Sequence, residues 1–495
     1  MRSAAGICLA ALLLASGCTH AAPTTSPAAR THAERSLAAD LDAIFGARVM
    51  AQALWGVEVK SLDTGRVLYA RNARTLMMPA SNMKILTLAA AAEALGWDYR
   101  FTTTFETSAT IDGGVLLGDL IVRGGGDPTI NTRDLRAAAF FDRVAAGLEA
   151  AGITRIDGNV VGDDRAFDNR RLGQGWSWDY LQYGYAAPVG ALEFNEDVAT
   201  LTIRPSAPGE DAGLELPPGT GLGLVHHVIT GPPGSPTRIE VERQPGTNWL
   251  DVSGTVAADA APVQREVAVL NPTLYFAHSL LNALTARGIR VRGLPVEFQQ
   301  PKTLVAEPAT RTLVVAQSPP LREIAATMMK VSQNLYAETL LKAIGAATSD
   351  MPGSTEGGLA AARGVFAAWQ IQPGTYVQVD GSGLSRYDLV TPEMLITILE
   401  RLYKDPRHRD AFTATLPIAG KDGTISTRLR ATRAEANATA KTGSIANVRA
   451  LSGYVRTRDG ETLAFSMLAN NFTIAPATVN WMADLAVETL ANYKR

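Results

Sequence analysis

Cysteine is nearly absent from this chain: 495 residues contain two, Cys8 and Cys18, both at the extreme N-terminus. Everything beyond Cys18 therefore lacks a disulfide, a thiol nucleophile and a thiolate metal ligand. Histidine is scarce as well, and no two of His20, His32, His226, His227, His278 and His408 stand at the His-x-x-x-His spacing of a helical zinc site. Cysteine and zinc hydrolases are set aside; a serine enzyme is not. An excess of one charge is also missing, with 46 Lys+Arg against 48 Asp+Glu and a net charge of −2, so there is no electrostatic footprint for nucleic acid. No stretch beyond the N-terminal leader is long and apolar enough to span a bilayer. What is present is a 46% apolar share, ample for globular cores. At ~150 residues per domain the length predicts about three domains.

Residues 1–17 have the layout of a secretory signal peptide: Arg2, then an apolar run from Ile7 to Ala15, then small residues. The leader ends in Ala15-Ser16-Gly17-Cys18, which resembles a bacterial lipoprotein processing box with Cys18 as the acylated residue, although Ala15 stands where leucine is preferred. The alternative is ordinary cleavage near Thr19-His20-Ala21, giving a soluble exported protein. The Pro-, Thr-, Ser- and Ala-rich residues 18–35 read as a flexible tether.

Leu37, Leu41 and Ile44 predict an amphipathic helix over His32 to Phe45, and Leu54–Ser61 with Arg66–Tyr69 predict a hairpin. An apolar helix is expected from about Ser81 to Leu95. Between about 100 and 310, short β-like runs alternate with Gly/Pro-rich loops. Helical texture returns at Leu321–Lys330, Leu335–Ile344, Gly358–Trp369 and Pro392–Tyr403. Strands at Asn437–Ile445, Val448–Val455 and Thr462–Leu468 precede a closing helix from about Ala475 to Asn492. This order predicts one α/β domain split by a long insertion, with the early hairpin and the late strands in one sheet.

Three short motifs carry chemistry. In Ser81-Asn82-Met83-Lys84 the i,i+3 spacing puts hydroxyl and amine on one helix face, and a neutral lysine can activate a serine hydroxyl. Such a pair arises about twice by chance in a chain of this length, and its bland reading is a helix cap with a surface lysine. Ser332-Gln333-Asn334 offers a hydroxyl to relay a proton and an amide that both donates and accepts; its bland reading is a turn. Lys441-Thr442-Gly443-Ser444 closes a strand, where a cation and a hydroxyl can meet an anionic group and a strand edge can pair with an extended peptide.

Found in this order, the three motifs are the signature of penicillin-recognising serine acyltransferases. About 250 residues separate Ser81 from Ser332, more than a domain's worth. With that gap the chain resembles the class C low-molecular-mass penicillin-binding proteins, the type-4 D-alanyl-D-alanine carboxypeptidase/endopeptidases of serine peptidase family S13. Gly124-Gly125-Gly126-Asp127-Pro128, Trp176-Ser177-Trp178-Asp179, Asp380 to Arg386 and Gly420 to Thr424 extend the resemblance over residues 36–495.

The resemblance implies a β-lactamase/transpeptidase-like catalytic domain, an antiparallel sheet flanked by helices, at 36–99 and 305–495. It implies a β-rich insertion of two smaller domains, at 100–200 with 262–304 and at 201–261. It makes Ser81 the nucleophile, Lys84 its base, and Ser332 with Lys441 the proton relay to the leaving amine. Asn334, Thr442, Gly443 and Ser444 would bind substrate, with the Ser81 and Ser444 N–H groups as oxyanion donors. Arg386 and Asp179 would reach the substrate's side chain. Tyr180 and Ala446 depart from what the family shows there, which weighs against strong endopeptidase action. The implied partners are peptidoglycan stem peptides and, as covalent inhibitors, β-lactams. No metal or organic cofactor is called for. The enzyme would be exported and periplasmic, and anchored to the outer membrane if Cys18 is acylated. A β-lactamase or esterase on the same fold and a non-catalytic wall-binding scaffold are the competing readings.

Overall fold

The computed structural model describes residues 31–133, 136–299 and 308–495. The leader, Cys18 and most of the expected tether lie outside the described residues. The first described helix, His32–Phe45, is opened by a capping box in which Thr31 accepts from the Glu34 N–H and Glu34 accepts from the Thr31 N–H.

The expected sheet forms. Its five strands run Val67–Arg71, Leu54–Ser61, Thr462–Asn470, Val448–Arg456, Thr439–Ile445, and every neighbouring pair is antiparallel. The central strand Thr462–Asn470 is buried at every position because helices cover both faces. Its alternate side chains divide between two cores: Leu463, Phe465, Met467 and Ala469 meet the helices His32–Phe45 and Pro476–Asn492, and Ala464 and Leu468 face the opposite core. In that second core lies Met83–Ala94, apolar apart from Lys84, Thr87 and Glu93 and buried from Met83 to Ala92. A helix this apolar belongs in the centre of a domain.

The insertion departs from the sequence reading in two ways. First, within its β-rich frame it holds two helices that the sequence texture did not announce, Arg136–Ala150 and Pro272–Ala286, of 15 residues each. Ala137, Phe140, Phe141, Val144, Ala145 and Leu148 form an i,i+3,i+4 stripe, which the surrounding Gly/Pro-rich loops obscured. Asn271 caps the second helix and Pro272 begins it. The insertion also returns later than 305. Arg311–Gln317 pairs antiparallel with Thr102–Thr107, so the outgoing and returning chains close one five-stranded sheet. The innermost part has its own core, in which Leu201, Ile203 and Val267 pack with Val228, Leu250, Val252 and Val256. The strand Val198–Arg204 therefore crosses the expected limit of 201, and Val263–Ala268 lies beyond the expected limit of 261. Among the described residues no helix is long and apolar enough to cross a membrane.

Candidate active site

Ser81 sits in a short 3-10 turn, Ala80–Asn82, that runs directly into Met83–Ala94. Ala80 adopts φ 46°, and Gly443 of the sheet's edge strand lies against this turn so closely that a Cβ there would come 2.6 Å from Pro79 O. What crowds Gly443 is thus the backbone of the turn. Gly383, at φ +82°, fits against the other side, where a Cβ would fall 1.9 Å from Ala80 O.

Lys84 is fully buried one turn along the helix. Its Nζ lies 3.0 Å from Ser81 Oγ, 2.6 Å from Asn334 Oδ1 and 2.9 Å from Ser382 O. Burial pulls its pKa from the usual lysine range down to about 7, while Asp380, Glu338 and Asp388 draw it partly back. A neutral amine has two N–H bonds and one lone pair. Asn334 Oδ1 and Ser382 O accept the two hydrogens, which leaves the lone pair for the Ser81 hydroxyl proton.

Glu338 and the loop beyond it hold that arrangement. Asn334 and Glu338 share a face of the helix Asn334–Ala347, and Glu338 accepts from the Gly381 and Ser382 N–H groups at 3.0 and 2.8 Å. Asp380 accepts from the N–H groups of Ser382, Gly383 and Ser385 and from Trp176 Nε1. Burial first, then Asp380, pushes the Glu338 pKa up to about 8 and that of Asp388 well above the carboxylate range.

Ser332 is the second hydroxyl on the cavity. Its φ of 64° is in the left-handed region, uncommon for a residue with a side chain. Lys441 Nζ, fully buried, donates to Ser332 Oγ and to Thr442 O, both at 2.8 Å. Burial, then Lys84, holds the Lys441 pKa well below the lysine range. With Ser332 Oγ accepting from Lys441, its own hydrogen is free to point into the cavity. Asn334 Nδ2 donates to Tyr185 O at 2.7 Å.

The cavity bounded by these groups measures about 400 Å³; Ser81, Ser332, Asn334, Thr442 and Ser444 wall it together with Tyr180 and Tyr185. Thr442 Oγ1 donates to Thr424 Oγ1 at 2.8 Å, which sets two hydroxyls side by side on one wall. Arg386 is exposed at the mouth and donates to Ala446 O. Asp179 stands apart from this cavity and borders a neighbouring one.

The strained Ser332 is held from the insertion. Gln333 Oε1 accepts from the Leu335 N–H, and Gln333 Nε2 donates to Glu196 Oε2, which also accepts from Arg133. Glu196 lies in a run of three left-handed residues, Asn195 to Asp197. Such strain persists only where surrounding contacts over-determine it, at about 1–3 kcal/mol each. Glu196→Ala is expected to slow acylation by benzylpenicillin about tenfold with little change in cavity affinity, as measured by stopped flow. An unchanged acylation rate would show that Ser332 needs no support from the insertion.

Sequence reasoning gave no role to Glu338, Thr424 or Tyr185. Glu338 had a signal: Asn334, Glu338 and Lys342 form an i,i+4,i+8 polar stripe on an otherwise apolar helix, and all three are buried. Among the described residues one cluster elsewhere has metal-ligand composition, Glu93 with Asp405 and His408. Trp97 Nε1 donates to His408 Nδ1 at 3.1 Å, so the ring's proton is on Nε2, facing Glu93 at 3.3 Å, and Arg407 bridges both carboxylates. That cluster already has its cation.

The sequence model of the D-Ala-D-Ala carboxypeptidase 3 (S13) family matches residues 37–492. A D-alanyl-D-alanine carboxypeptidase of an Actinomadura species is 34% identical over 472 residues, which cover 92% of this chain and 84% of that protein. The D-alanyl-D-alanine carboxypeptidase DacB of Haemophilus influenzae is 29% identical over 424 residues, covering 84% and 85%. The crystal structure of penicillin binding protein 4 (dacB) from H. influenzae superposes with a TM-score of 0.80 at 28% identity, over 92% of this chain and 99% of that one. The same protein complexed with a novel β-lactam superposes with a TM-score of 0.73 at 26% identity, over 91% and 100%.

Proposed function

The chain belongs to the D-Ala-D-Ala carboxypeptidase 3 (S13) family, and we propose that it is a penicillin-sensitive serine carboxypeptidase that removes the terminal D-alanine from peptidoglycan stem peptides outside the cytoplasm. The observation that carries the reading is Lys84, fully buried, with Nζ 3.0 Å from Ser81 Oγ and its two other partners, Asn334 Oδ1 and Ser382 O, both acceptors.

The substrate's terminal carboxylate is received by the paired hydroxyls of Thr442 and Thr424, charge-assisted bonds of about 1.5–3 kcal/mol each. Ser81 Oγ attacks the carbonyl carbon between the two D-alanines as its proton passes to Lys84. The oxyanion lies between the Ser81 and Ser444 N–H groups, and losing one such donor raises the barrier by roughly 3–4 kcal/mol. The C–N bond then breaks; the leaving amine takes the Ser332 hydroxyl proton, with Lys441 stabilising the oxygen behind it. The proton that Lys84 took from Ser81 passes to Ser332, which restores both the hydroxyl and the neutral amine; water then attacks the ester carbonyl carbon and gives one proton to Lys84, which hands it to Ser81 Oγ as the C–O bond breaks. A β-lactam follows the same path to the ester, and the H. influenzae relative in complex with a β-lactam supports this. Arg386, at the mouth beside Ala446, meets the part of the stem peptide that projects outward. Acylation of Cys18 would hold the enzyme at a membrane surface.

The test is incubation with a synthetic peptide ending in D-Ala-D-Ala. Release of one equivalent of D-alanine per peptide is expected. Stable acylation by penicillin with no D-alanine release would replace the carboxypeptidase reading with that of a β-lactam sensor, and no reaction with either compound would leave a scaffold.

A further inference from the structure

Beside the catalytic cavity lies a larger one, about 630 Å³, in the size range of small-ligand pockets. One side is the turn segment carrying Asp179, Gln182 and Tyr183; the other is made of the strands Arg238–Arg243 and Val263–Ala268. Both are edge strands of their sheets, so each leaves backbone N–H and C=O groups unpaired on one side. The Ala268 N–H donates to Gln182 O at 3.0 Å, which ties the segment to the innermost part of the insertion.

The two cavities are joined by aromatic rings. Tyr180 and Tyr185 wall the catalytic cavity, and Tyr183, which borders the second, stacks on Tyr185 with centroids 5.3 Å apart and planes 19° from parallel. Tyr183 is 43% exposed. The charged lining is acidic, with Asp179, Glu240, Glu242 and Glu266 against Arg265. Such a lining repels a peptide that ends in a carboxylate, and it accepts hydrogen bonds from neutral hydroxyls.

We propose that this second cavity binds the amino-sugar strand to which the stem peptide is attached, with a pyranose ring on Tyr183 and its hydroxyls donating to the carboxylates. The inference rests on the peptidase reading for its substrate. Its geometry is consistent with one substrate spanning both sites: Tyr180 and Tyr183 are three residues apart, ~6 Å along a 3-10 path, while a four- or five-residue stem reaches ~15 Å when extended.

Two measurements on the full chain decide it. Ser81→Ala protein titrated with chitotetraose should show saturable fluorescence quenching with a Kd below about 1 mM, weakened fivefold or more by adding Tyr183→Ala. In the active enzyme, kcat/KM for a D-Ala-D-Ala peptide carrying its disaccharide should exceed that for the bare peptide about tenfold, and Tyr183→Ala should bring the ratio towards one. A loss of folding would depress both substrates alike and leave the ratio unchanged. No binding of chitotetraose, with a ratio of one in the unmodified enzyme, overturns the proposal. So does Tyr183-dependent quenching by the bare peptide in place of the sugar, which assigns the cavity to a peptide. Chitotetraose binding without hydrolysis of either substrate upholds the sugar site and removes the peptidase reading instead.

Discussion

Ser81→Ala is expected to leave the protein unlabelled by a fluorescent penicillin and to lower D-alanine release by about 10⁶-fold, the scale on which loss of a nucleophile acts. The cavity contains two serine–lysine pairs, so the expectation needs an argument. Ser332 Oγ lies 2.8 Å from Lys441 Nζ, no further than Ser81 Oγ lies from Lys84. The pairs differ in what else each amine touches. Lys84 has two other acceptors, Asn334 Oδ1 and Ser382 O, and they use up the hydrogens of its neutral form. Lys441 has one, Thr442 O, so its remaining hydrogen goes to Ser332 and it donates where Lys84 accepts. Ser332→Ala should therefore still be labelled, about 10²–10³ times more slowly, as expected for loss of general-acid help. Intact mass spectrometry separates the outcomes. A penicilloyl adduct on Ser81→Ala, or none on Ser332→Ala after long incubation, would exchange the roles of the two serines.

The catalytic half was legible because its chemistry is local in sequence. Ser81 and Lys84 are three residues apart on a helix, and Lys441, Thr442 and Ser444 share one strand, so periodicity alone sets each group's internal geometry. What joins the groups is not local. Thr424 meets Thr442 only because the turn Gly423–Ile425 packs under the edge strand, and Asp380 gathers four N–H groups through a loop that has no periodic pattern. The insertion was harder for a related reason. Its helix Arg136–Ala150 has a clear apolar stripe, yet its short neighbouring strands and glycine turns set the texture of the whole region. Asp179 shows a third kind of non-locality: its motif sits beside the cavity, and the 3-10 turn Trp178–Tyr180 presents Tyr180 to the site and turns Asp179 to the neighbouring cavity.

Acylation by penicillin is expected to fall about tenfold for each pH unit below about 7, and Lys84→Arg should abolish it. An exposed lysine with a pKa of ~10.4 would be neutral in about one molecule in 2,500 at pH 7. Burial of Lys84 brings its pKa to about 7, so about half of the enzyme has the base ready at that pH. Arginine cannot release its proton in this range and would leave a fixed charge in the same buried place, so a loss of at least 10³-fold is expected. The sign of the pH effect follows from which form acts: the neutral amine accepts the proton, so the rate is lost as pH falls through the folded pKa. The carboxylates behind Lys84 provide a second readout that a folding defect would not imitate. Glu338 draws the Lys84 pKa upward. The Gly381 and Ser382 N–H groups bond separate oxygens of Glu338, so Glu338→Gln keeps an acceptor for one of them and removes the charge, and Lys84 should lose its proton more easily. The acid limb of the acylation profile should then move to lower pH, by up to about one unit since Glu338 is itself only partly ionised near pH 7. A limb that moves to higher pH would mean that the group titrating in the profile is not Lys84.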